Sequence, residues 1–153
     1  MKYKKIFFTV LVLLCFATIF MFSSQDSKES NGLSNKLIVK TYEIIHRTKL
    51  DNKEKNKIIN KYNYLVRKIA HAVIYLILGV LVICLLYCFN IDKRIIIYSI
   101  LICFIYALTD EFHQKFTSRT ASFIDVLIDT SGSSLGIITT YFLFIRKRII
   151  NKK

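Results

Sequence analysis

IAHAVIYLILGVLVICLLYCF, residues 69–89, is apolar almost throughout, with His71 just inside its first turn. A helix crosses a bilayer core of about 30 Å with roughly 20 such residues, and this run shows no polar stripe of the kind a surface helix carries. It therefore predicts a transmembrane helix. Working outward, residues 6–22, 95–109 and 123–145 form three further apolar runs. The 54% hydrophobic content of the 153 residues is thus gathered into runs rather than spread as amphipathic stripes. The expected fold is all-α, a four-helix integral membrane bundle forming one membrane domain over residues 1–153. The absence of proline suits unkinked helices. The third run spans only about 22 Å at 1.5 Å per residue, so a crossing there draws Asp110 and Glu111 toward the membrane.

The first run has the basic lead of a secretory signal, with Lys2, Lys4 and Lys5 ahead of it. No small-x-small cleavage site follows, and Leu14 before Cys15 does not suit a lipoprotein site, so a retained anchor helix is expected. Basic flanks prefer the cytoplasmic side. Lys2, Lys4 and Lys5 before the first helix, Lys93 and Arg94 before the third, and Arg146, Lys147 and Arg148 after the fourth place both termini in the cytoplasm. The second helix dissents, because Arg67 and Lys68 then lie outside. Such a basic pair is a natural counter-charge for Asp110, Glu111 and Asp125.

The outer loop, residues 23–68, predicts two short amphipathic helices. Ser34 would cap a segment with Leu37, Thr41, Ile44 and Ile45 on one face, and Asp51 with Glu54 has capping-box spacing ahead of Ile58, Tyr62 and Leu65. Their lysines suit anionic headgroups or a cover over the polar residues beneath. The net charge of +13 is distributed over membrane flanks and this loop with no compact basic module, which disfavours nucleic acid as a partner.

Charges within apolar runs cost a few kcal/mol each at membrane depth and mark partners or tasks. Counting 1.5 Å per residue from the inner boundary, His71 sits about 28 Å above Asn90, Asp110 about 24 Å above Arg94 and Asp129 about 25 Å above Arg146. Arg67, Lys68, Glu111, His113, Arg119 and Asp125 fall within two turns of that level, and Ser23, Ser24 and Gln25 arrive at the same face. His71, His113 and the carboxylates are suitable metal ligands, but no i, i+4 histidine pair and no zinc-type cysteine pairing accompanies them, so neither metal nor cofactor is expected. Cys15, Cys84, Cys88 and Cys103 fall inside apolar runs and are expected as fillers without a disulfide. Gly132 and Gly136 have the spacing of a helix-packing face.

The strings FSSQ at 22–25, RKIAH at 67–71 with Tyr75, DEFHQKF at 110–116, then Arg119, Asp125 and GSSLG at 132–136 resemble the VanZ-like family of small bacterial membrane proteins. The resemblance implies a multi-pass protein of the bacterial cytoplasmic membrane, and its namesake contributes to resistance against the glycopeptide teicoplanin. It implies motif positions at Ser24, Gln25, Arg67, Lys68, His71, Asp110, Glu111, His113, Gln114, Arg119 and Asp125. Where relatives often have Pro-Gly this chain has Thr117 and Ser118, a less rigid turn before Arg119, and where they often have asparagine it has Asp129, which ranks behind Asp110 and Glu111.

Three classes of function fit these residues. One is an envelope protein that binds or masks an anionic lipid or cell-wall precursor at the outer leaflet, with membrane lipids as partners. Another is a membrane enzyme on a phosphorylated or lipid-linked envelope substrate, with His71 or His113 as proton carrier. The last is a structural subunit with a buried ion-pair network. No Gly-x-Ser-x-Gly elbow, phosphate-binding glycine loop or zincin motif points to catalysis.

Overall fold

A computed structural model describes residues 2–24, 27–89, 94–116 and 122–146. The described residues form helices α1 (Lys2–Ser24), α2 (Ser27–His46), α3 (Asn52–Cys88), α4 (Ile95–Gln114) and α5 (Phe123–Thr140), the last continuing as a π-helical turn over Tyr141–Ile145. Among the described residues, four helices are long and apolar enough to cross a membrane: α1, α3, α4, and α5 with its π-turn.

The sequence anticipated these spans and the cap at Asp51, but not that the helix it starts, α3, runs on into the membrane span. Asp51 caps it with the expected box: its side chain accepts from Asn52 N at 2.7 Å, and its own N–H donates to Glu54 Oε2 at 3.2 Å. The predicted second loop helix then never stops. No glycine or proline lies between Asp51 and Ile69, so helical hydrogen bonding runs on into the span. At 37 residues α3 is about 55 Å long, well beyond a bilayer core of about 30 Å. Its extramembrane half packs against α2, which buries Ile38 and pairs Asn35 with Asn63 Nδ2 at 2.7 Å. Residues 23–68 are thus mostly a helical hairpin rather than a loop carrying two separate helices. The turn out of α2 uses Arg47 in the left-handed region, with φ 49°.

Within the membrane α3 is central and touches α1, α4 and α5. The closest approach is to α5. A Cβ on Gly132 or Gly136 would collide with the α3 backbone at Ala72 or Leu76, and one on Gly79 would collide with the α5 backbone at Ser133. Glycine on both helices lets the backbones meet, the role expected of the 132/136 pair. On the other flank, Phe16 of α1 stacks on Tyr106 of α4 with ring centroids 4.1 Å apart, and the Tyr106 hydroxyl donates to Phe16 O at 2.7 Å. Large apolar side chains such as Leu13, Leu101, Ile105 and Leu135 stay about half exposed on the outer surfaces, as lipid-facing positions should. All four cysteines are free thiols.

Candidate functional site

Helical period carries the polar residues into the core. The buried stripe of α4 runs Ile95, Ser99, Cys103, Ala107, Asp110, Glu111, Gln114, steps of three, four and one that keep to one face. In α5 it runs back from Thr140 through Ile137, Gly136, Ser133 and Gly132 to Asp129, and in α1 it runs Val12, Cys15, Ile19, Ser23. His71 lies one turn before buried Tyr75 on α3. Each stripe brings a polar residue, Ser23, Asp110 or Asp129, to the same end of the bundle.

Asp110 is the centre, 4% exposed. Its Oδ2 accepts from Ser23 Oγ at 2.9 Å, from Gln114 Nε2 at 3.2 Å and, more weakly, from Tyr75 OH at 3.5 Å. Its Oδ1 is buried with no hydrogen-bond donor among the described residues. Asp129, also 4% exposed, faces His71, with Nδ1 to Oδ2 at 3.9 Å, an ion-pair separation too long for a hydrogen bond. Ligand atoms of His71, Asp110 and Asp129 all lie within 4.8 Å of one another.

Around this centre the pairing differs from the sequence expectation. Of the three carboxylates for which Arg67 and Lys68 are the expected counter-charge, Asp125 alone is met by an ion pair among the described residues, while Asp110 and Glu111 are not. Lys68 makes that pair and lies over the Tyr64 ring. Glu111 accepts from the backbone N–H of Ser122, the residue that caps α5 through Ile124 N at 3.3 Å, so it ties the end of α4 to the start of α5. Arg67 has no carboxylate within ion-pair distance among the described residues. Depth and sign bring charges to one level, but side-chain reach and helix rotation select the partner.

Other expected members are redistributed. Ser24 is exposed and bonds back to Phe20 O at 2.7 Å, so Ser23 takes the inward place. His113 turns to α1, its ring 4.4 Å from Phe20, with a buried Nδ1 lacking a donor or acceptor among the described residues. Gln114 is in the network, whereas Gln25 and Arg119 lie outside the described residues. Asp129, ranked behind Asp110 and Glu111, belongs at the centre with Tyr75. Tyr75 was legible one turn from His71, on the same helix face. His71, Asp110 and Asp129 come from three different helices, an arrangement of candidate ligands that no local spacing motif records.

The VanZ/LLP1 family model matches residues 8–145. The chain belongs to the VanZ-like family. That match covers every residue of the polar centre. No curated protein and no solved structure matches the chain. This VanZ-like bundle accordingly holds four carboxylates, Asp110, Glu111, Asp125 and Asp129, against the fixed cations Arg67 and Lys68 among its described site residues, with His71 between them.

Proposed function

We propose that this chain is a cell-envelope protein that holds the phosphate-bearing head of an envelope lipid or lipid-linked cell-wall precursor at the outer leaflet, and through that contact alters glycopeptide susceptibility. The observation that carries it is Arg67. It is half-buried beside the polar centre and has no carboxylate of its own within ion-pair distance among the described residues, while its neighbour Lys68 is committed to Asp125. A guanidinium presents a planar fork that matches phosphate oxygens, and a partly desolvated one without a protein partner is a natural anion site. The orientation draws on Lys2, Lys4 and Lys5 at the start of α1, Arg94 before α4 and Arg146 after α5, all at the opposite end of the bundle and all favouring the cytoplasm there.

The test is Arg67→Ala beside Arg67→Lys in the full chain, extracted in mild detergent. Because Arg67 stabilises no ion pair within the described fold, alanine should leave abundance and helicity unchanged while removing phosphorus-bearing lipid that co-purifies with the wild type, and lysine should retain part of it. Unchanged lipid phosphorus in Arg67→Ala at equal protein would overturn the proposal. Where the wild type raises glycopeptide tolerance, that effect should disappear with the lipid.

A further inference from the structure

The carboxylates at the centre of this site have too little cation around them, and two of them stand beside an imidazole. Burying an ionised carboxylate without a partner is costly in a dry interior, and a metal ion is a common way of holding several together. From this geometry we infer that His71, Asp110 and Asp129 form a binding site for one divalent cation of the zinc or manganese class.

The donor set fits that class. An imidazole nitrogen suits zinc and its transition-metal neighbours, two carboxylates suit manganese and zinc, and together they balance a 2+ charge. Three protein ligands are also the usual complement of a zinc site that keeps a position open for water or another oxygen ligand. Ligand atoms in such a shell sit about 3.4 Å apart when bonds are about 2.0–2.2 Å. Here they lie within 4.8 Å of one another, with His71 Nδ1 and Asp129 Oδ2 at 3.9 Å, so side-chain adjustments of about an ångström bring them to a common centre without moving a helix.

The stronger observation is how Asp110 is held. Ser23, Gln114 and Tyr75 all donate to Oδ2, which orients the carboxylate and leaves the buried Oδ1 without a donor among the described residues. Ligating carboxylates are typically hydrogen-bonded on the oxygen that does not face the metal, and such supporting groups are worth about 10 to 100-fold in affinity. Asp129 is equally buried, and the nearest basic group facing it among the described residues is the His71 imidazole, at a separation too long for a hydrogen bond.

Arg67 lies one helical turn before His71 on α3, so a phosphate held by the guanidinium would be within reach of an ion held by His71, Asp110 and Asp129. That last step rests on the anionic-head role proposed above; the metal site itself does not. It is therefore assayed without lipid, by incubating the purified full-length chain in detergent with Zn²⁺ or Mn²⁺, desalting, and measuring metal per chain and Tm with and without chelator.

About one ion per chain is expected, with Tm falling on chelation. His71→Gln and Asp129→Asn should each weaken binding at least about tenfold, and Tyr75→Phe, which removes only a positioning donor, should weaken it about tenfold while the chain stays folded. Replacing Cys15, Cys84, Cys88 and Cys103 together by alanine should leave the metal content unchanged, which excludes adventitious thiol binding. Folded wild-type protein that retains no metal, or equal metal in wild type and Tyr75→Phe together with His71→Gln, would overturn the site. If the ligand variants fail to fold, the wild-type stoichiometry and Tyr75→Phe decide. Metal bound without co-purifying phosphorus sinks only the lipid role, whereas lipid retained by a chain that never takes up metal sinks only the metal site.

Discussion

Asp110 and Asp125 illustrate how differently two carboxylates on neighbouring helices are used. The first gives one oxygen to three donors from α1, α3 and α4 and keeps the other bare, whereas the second meets Lys68 directly. Only the second is a simple ion pair. With side-chain exposures of 19% for Lys68 and 29% for Asp125, solvent screens the pair in part, so its coupling should exceed that of a surface bridge without reaching that of a fully buried one. A double-mutant cycle with Lys68→Met and Asp125→Asn, read by thermal or denaturant stability in detergent, should return about 1–2 kcal/mol of coupling. The corresponding cycle between Lys68 and Asp110 should return almost none, since Asp110 is occupied by hydroxyl and amide donors. Comparable values in the two cycles would mean that the charges share one diffuse network.

At the level of elements, two glycines in similar helical settings are predicted to respond with opposite sign. Gly-to-Ala in a helix interior gains up to about 1 kcal/mol from backbone entropy when the added methyl has room. At Gly32 of α2 an added Cβ would meet nothing within 4 Å, so Gly32→Ala should stabilise by that order. Gly132 faces the α3 backbone at Ala72, which cannot yield as a flexible side chain would, so Gly132→Ala should cost about 1–3 kcal/mol. Parallel thermal melts of the two variants check both signs. A gain at Gly132 would show that α3 and α5 are not in close backbone contact. The loss should also disturb the site, because the same interface sets Asp129 of α5 opposite His71 of α3.

For the whole molecule, the charged ends and the polar centre define a direction through the membrane. Basic flanks gather at the end opposite His71, Asp110 and Asp129, which predicts that the α2–α3 hairpin is outside. With the native cysteines replaced by alanine, a cysteine introduced at Lys55 should react with an impermeant maleimide in intact cells. One introduced at Asp92 should react only after permeabilisation. The reverse pattern would invert the bundle and move the proposed ligand to the inner leaflet, leaving the side-chain geometry as it is.

Much of this architecture was legible along the chain because its causes are local. A long apolar run must satisfy its backbone internally in lipid and so becomes a helix, a capping box needs only residues 51 and 54, and a charge in an apolar run announces itself by its cost. The level at which the polar residues meet also followed from 1.5 Å per residue, about the rise of any α-helix. What the chain could not state was rotation and partner choice. Whether Ser23 or Ser24 turns inward, whether Lys68 reaches Asp110 or Asp125, and that Asp129 stands with His71 at the centre depend on how α1, α3, α4 and α5 pack. That packing is set by steric contact at Gly79, Gly132 and Gly136, between residues far apart in sequence, and so only the tertiary structure decides it.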